Sequence, residues 1–137
     1  TVRDWSGRNP VRLVIDRFLR LSDHLNLFDL SVPTVCFNLL KHEEHQNLKL
    51  VRLDEENFIV QLLHWLHKEK IQSIMVEGGS QTLSLFIDSG NWDEARIFTS
   101  PRSYYKGINA PRLQGDLILS KPFSTDLLQV FFKQKGS

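Results

Sequence analysis

The stretch Ile74-Met75-Val76-Glu77-Gly78-Gly79-Ser80-Gln81-Thr82-Leu83 runs from an apolar strand, through a diglycine break, into the start of a helix. Its Ile-Met-Val centre predicts a strand over Ile71 to Glu77 covered on both faces, as in the middle of a parallel sheet. Ser80 stands where it can cap the next helix, which carries Leu83, Phe86 and Ile87 inward and stops at Ser89-Gly90. Glycines let the backbone turn sharply and approach a ligand with no Cβ in the way. The first helical amides, from about Ser80 to Leu83, have no partner inside the helix and carry the positive end of its dipole. Such a turn suits a phosphate or pyrophosphate. Glu77, where the strand ends, can accept from a sugar hydroxyl or a base. The same residues also fit a plain tight turn with a solvated glutamate, because they lack the longer Gly-x-Gly-x-x-Gly pattern.

Working outward, Val11 to Asp16 reads as a strand entered through Asn9-Pro10, and residues 18 to 32 as a loop with at most a short helix. Pro33 to Asn38 gives a second strand with proline at its first position. Lys41 to Asn47 is a polar connector, and Leu48 to Leu53 a third strand. Asp54 is placed as an N-cap, and Phe58, Leu62 and Leu66 form an apolar stripe that predicts a helix over 55 to 69. Beyond the diglycine turn and its helix, Ala95 to Thr99 is a strand and Ser100 to Gly115 has no clear period. Asp116 to Ser120 and Leu127 to Lys133 close the chain as an antiparallel pair joined across residues 121 to 125. Strands alternating with helices form parallel neighbours. The predicted class is therefore α/β, a mixed and largely parallel sheet flanked by helices, with an antiparallel C-terminal edge, all in one domain spanning 1 to 137.

Composition narrows the functions. The 137 residues are 41% apolar and 24% charged with a net charge of +1. No apolar run approaches a membrane span, and the balanced charge argues against a dedicated nucleic-acid binder. The single cysteine, Cys36, excludes an internal disulfide and fits a reducing, cytoplasmic setting. The first twenty residues are locally basic, with five arginines against two aspartates, and could meet an anion. His42-Glu43-Glu44-His45 has its second histidine one position too early for a zinc-protease helix, and His64 and His67 lie three apart on an amphipathic helix. No metal ligand is assigned. Cys36 reads as a buried structural thiol, and Tyr104-Tyr105-Lys106 as loop packing or a subunit contact.

Thr1-Val2-Arg3, the run Asn9-Pro10-Val11-Arg12-Leu13-Val14-Ile15-Asp16-Arg17, and Val76-Glu77-Gly78-Gly79 with its helix, in this order and spacing, resemble a known family. It is the reductase domain of the bifunctional riboflavin-biosynthesis deaminase/reductase, which has the dihydrofolate-reductase-like fold, and the likeness covers essentially the whole chain. The resemblance implies NADPH-dependent reduction of the ribose of 5-amino-6-(5-phosphoribosylamino)uracil to a ribityl chain. By position it implies that Arg3 and Glu77 bind substrate, with Glu77 also a candidate catalytic acid. It implies that Arg17, Gly79, Ser80, Gln81, Thr82, Leu83, Ser84 and Leu85 bind NADPH; Arg17 stands at a position whose identity varies, and its charge leads to the expectation that it faces the 2′-phosphate. It further implies a homodimer and an upstream zinc-dependent deaminase domain, whose His-x-Glu and Pro-Cys-x-x-Cys motifs are not in this sequence. The family's domain starts earlier, so the chain is expected to lack an N-terminal strand and helix.

Two other readings stay open. One is a nucleotide-binding or dimer-forming fragment without catalytic competence. The other is a different reductase of the same fold, acting on a pterin or another pyrimidine.

Overall fold

The computed structural model describes residues 6–103 and 105–134, and the chain divides into two compact units, Thr1–Ser73 and Ile74–Ser137. In the first unit β1 (Arg12–Ile15), β2 (Thr34–Asn38) and β4 (Leu48–Arg52) run parallel, and β3 (Glu43–His45) is antiparallel to β4 at the edge. The sheet order is β1-β2-β4-β3. Registers run from Arg12 opposite Thr34 to Ile15 opposite Phe37, and from Thr34 opposite Leu48 to Asn38 opposite Arg52. All five residues of β2 are buried, as its unbroken apolar run requires of a strand with neighbours on both sides.

The crossover from β1 to β2 has one short 3-10 turn, Asn26–Phe28, in place of a helix. Its anchor is the Arg12 guanidinium, which donates to the carbonyls of Asn26 (3.0 Å) and Leu27 (2.8 Å), to Asp29 Oδ1 (2.8 Å) and to Ser31 Oγ (2.9 Å). One cation of the basic N-terminal stretch is thus engaged inside the unit.

The polar connector is not a loop. Residues 43 to 45 form β3, turned back by Gln46 at a φ of 47°. It escapes an apolar pattern because all three of its residues are exposed on an edge, where charged side chains such as Glu44, paired with Lys49 at 3.4 Å, discourage further pairing.

The first helix, α1 (Phe58–Lys68), begins later than expected. Asn57 has a φ of 57°, so the helix cannot extend back to Asp54, which is not its cap. Gln61 holds the approach instead: its Oε1 accepts from the Asp54 amide (3.2 Å) and its Nε2 donates to the Glu56 carbonyl (2.8 Å). Phe58, Leu62 and Leu66 are the buried stripe, and Trp65 meets Phe37 edge-on with ring centres 5.2 Å apart. The helix stops in a Schellman arrangement, Lys70 N–H to His67 O (3.0 Å) and Ile71 N–H to Leu66 O (2.9 Å).

The expected strand over Ile71 to Glu77 is overturned. Among the described residues this segment joins no ladder, and Met75 is 83% exposed while Ile74 and Val76 are half-buried. An apolar run becomes a buried central strand only where partners lie on both sides, and among the described residues there are none. The mixed α/β class holds, with the parallel part confined to β1, β2 and β4.

The second unit then carries α2 (Ser80–Asp88) and an antiparallel sheet in the order β5-β7-β6, from β5 (Glu94–Thr99), β6 (Asp116–Phe123) and β7 (Asp126–Phe132). The closing hairpin is as expected but longer. β6 continues through Pro122, which an edge strand tolerates, and the chain reverses at Ser124, φ 57°. Gly115 lies where a Cβ would meet the Phe132 carbonyl at 2.7 Å and the Trp92 ring at 2.8 Å.

Candidate functional site

Ser80 is the first residue of α2 rather than its cap. The N-cap is Gly79, with φ −60° and ψ 174°, and no side chain caps the helix. Leu83 donates its amide to the Gly79 carbonyl at 3.1 Å, so the amides without an intrahelical partner are those of Ser80, Gln81 and Thr82. Leu83, Ser84 and Leu85 have their amides inside the helical ladder, and any contact they make with a ligand is through side chains. A Cβ on Gly79 would meet nothing within 4 Å, so the turn is open at that residue. One on Gly78 would lie 2.7 Å from Thr82 Cβ, so that glycine lets the chain close onto the first turn of the helix.

The far end of α2 is closed by backbone hydrogen bonds. Gly90, φ 68°, donates to Ile87 O (3.0 Å) and Asn91 to Phe86 O (3.1 Å), and Lys133 Nζ donates to the Gly90 carbonyl. The stop at Ser89-Gly90 is where the sequence places it. The helix therefore has a cation at its negative end and an uncapped positive end, the electrostatic arrangement for an anion. Glu77 is exposed just before this turn.

In the first unit, Arg17 follows directly on β1, half-buried, with its guanidinium 4.9 Å from the centre of the Phe58 ring. Arg3 lies outside the described residues. The structure thus brings Glu77 to Leu85 together at one turn of the second unit and places Arg17 at the C-terminal end of a parallel strand of the first.

Sequence reasoning missed two residues at that sheet edge. Asp16, just past β1, accepts from the amides of Arg20 (3.0 Å) and Leu21 (2.9 Å). Asn38, the last residue of β2, is wholly buried and holds the turn that follows. Their signal is a polar residue ending an apolar strand run, Val14-Ile15-Asp16 and Cys36-Phe37-Asn38. Cys36 is buried, as expected, and burial pushes its thiol up to about 11. Among the described residues no cluster of three His, Cys, Asp or Glu could hold a metal, and no helix is long and apolar enough to cross a membrane.

A mixed α/β fold in which a helix opens uncapped behind a diglycine turn defines the class as an α/β domain. The chain belongs to the RibD C-terminal domain family, whose family model matches residues 1–121. Among curated relatives it is 25% identical over 107 residues to the riboflavin biosynthesis protein RibD of Aquifex aeolicus, covering 74% of this chain and 30% of that one. It is 26% identical over 127 residues to the 2,5-diamino-6-ribosylamino-4(3H)-pyrimidinone 5′-phosphate reductase of Archaeoglobus fulgidus, covering 87% of this chain and 58% of that one. The chain thus spans less than two thirds of either relative. The solved deaminase/5-amino-6-(5-phosphoribosylamino)uracil reductase of Thermotoga maritima matches 96% of this chain and 40% of its own, with a TM-score of 0.80 at 23% identity. One form of Acinetobacter baumannii RibD gives a TM-score of 0.73 at 17% identity over 97% of this chain and 42% of that one. Both likenesses establish the shared fold.

Proposed function

We propose that the chain is a single reductase-type domain, 1 to 137, that uses NADPH to reduce the ribose of a phosphoribosylamino-pyrimidine to a ribityl chain. The observation that carries this reading is the uncapped start of α2, where no side chain caps the helix and a Cβ on Gly79 would meet nothing within 4 Å. The fit to a dinucleotide is good: three unsatisfied donors, a dipole and a Cβ-free approach match a pyrophosphate. NADPH, when bound, supplies a hydride. The chain's own residues hold and orient. The α2 amides take the pyrophosphate, Gly79 admits it, Ser84 and Leu85 offer side chains along the helix, and Arg17 meets the 2′-phosphate. Glu77, and Arg3 by resemblance, place the substrate, and Glu77 is the candidate proton donor when the ribosylamine opens.

The names of the relatives support two substrates. The uracil is the deaminated form, and the Archaeoglobus relative is named for the diamino-pyrimidinone that still carries its second amino group. The deciding experiment incubates the chain, alone and with an N-terminal extension completing the family domain, with each pyrimidine and follows NADPH absorbance. Oxidation with one substrate names it. Binding of NADPH without oxidation by either chain supports the non-catalytic reading, and oxidation only with a pterin supports the other reductase.

The same proposal includes a cytoplasmic homodimer and, in the full protein, an upstream zinc-dependent deaminase domain. The deaminase named in the Thermotoga relative supports the latter. The exposed Leu117, Ile118 and Phe123 on strand β6, an edge among the described residues, support the dimer.

A further inference from the structure

We infer that Asn38 is a positioning residue for Arg17, and through it for discrimination between a nicotinamide cofactor that carries a 2′-phosphate and one that lacks it. The inference rests on the proposed reading of Arg17 as a cofactor contact.

Arg17 is a half-buried cation that makes no ion pair with a carboxylate among the described residues. Its partner is the face of Phe58. A guanidinium held over a ring keeps N–H groups for other acceptors, and two of them together can grip a phosphate. Such a grip selects for a phosphate only if the fork is held in place, because a mobile arginine follows either ligand.

Two supports hold it, and both run through Asn38. The first is the backbone: the Arg17 carbonyl accepts from Leu39, the residue after Asn38, at 2.9 Å. Leu39 is fixed because Asn38 Oδ1 accepts from the amides of Leu40 (2.9 Å) and Lys41 (2.8 Å), freezing the turn after β2. The second is the ring platform. Asn38 Nδ2 donates to the Val51 carbonyl at 3.3 Å and the Asn38 carbonyl accepts from Leu53 at 2.8 Å. These bonds set where β4 ends and the approach to Phe58 begins. Asn38 is 0% exposed with both ends of its amide satisfied, the fourth bond running to the Cys36 carbonyl at 3.4 Å. A hydrocarbon replacement would leave the Leu40 and Lys41 amides and the Val51 carbonyl short of partners and free the turn.

The test is fluorescence titration of the whole chain with NADPH and with NADH, read as the ratio of the two dissociation constants. Arg17→Ala comes first. If it leaves the ratio unchanged, the reading of Arg17 fails and takes this inference with it. If it lowers the preference for NADPH, Asn38→Ala is expected to shift the ratio in the same direction by about tenfold, the scale of one displaced charge-assisted bond. General loosening weakens both cofactors alike and leaves the ratio in place, so a folded Asn38→Ala with an unchanged ratio overturns the inference. Should that variant fail to fold, Asn38→Thr keeps a buried polar atom and loses the paired donors. It is expected to lose part of the preference, and an intact ratio there overturns the inference equally.

Discussion

The two units use their polar groups in opposite ways. In the first, Arg12 closes on Asp29 and Ser31, Gln61 ties down the approach to α1, and Asn38 satisfies four backbone groups at once. In the second, α2 begins with three unsatisfied amides, Gly79 opens onto empty space and β6 presents apolar side chains to solvent. Groups of this kind are completed by water, a ligand or a partner. The contrast separates an internally satisfied scaffold from a surface whose groups are left open.

The largest expected effect is in the scaffold's core. Leu62, on the buried face of α1, should cost about 2–5 kcal/mol when cut to alanine, whereas Leu119→Ala on the exposed β6 should stay within about 1 kcal/mol, both read by urea unfolding. Equal losses would erase the contrast.

A smaller effect sharpens it at the helix ends. Both helices finish in a Schellman turn, but Gly90 occupies the left-handed position in one and Lys70, φ 59°, in the other. Lys70→Gly should stabilise the chain by about 0.5–1 kcal/mol, and a loss would show that the lysine side chain has another task.

The smallest effect concerns acid. The Arg12 guanidinium, with help from Ser31, holds the Asp29 carboxyl well below the usual carboxylate range. A carboxylate depressed in the folded state contributes stability above its unfolded pKa, near 4, and loses it as pH falls from there through the folded value. Asp29→Asn should therefore remove a small part of the stability at pH 7 and flatten its decline below pH 4. An unchanged acid limb in the pH dependence of the unfolding midpoint would contradict the pairing.

Legibility in the sequence follows the same division. β1, β2, β4 and the α1 stripe could be read because apolar side chains recur at the period of their element, and α2 because glycines flank it. β3 could not, since an exposed edge strand of Glu43, Glu44 and His45 needs no apolar alternation. Ile74-Met75-Val76 misled because strand identity belongs to a ladder, and hydrophobicity alone does not supply partners. At the candidate site, the diglycine turn was plain from residue type. The importance of Asn38 was not, because its link to the next strand, the bond to the Val51 carbonyl, exists only after β2 and β4 pair.

The most direct test of the central claim is Gly79→Asp. At φ −60° with free space around it, an aspartate there can cap the α2 amides with its own carboxylate. The account predicts opposite signs: unfolding stability rises by up to about 1 kcal/mol, while NADPH binding by titration weakens at least about tenfold as the carboxylate takes the anion's place. Undiminished NADPH affinity in a variant so stabilised would contradict the claim that the bare start of α2 is where the cofactor's phosphates bind.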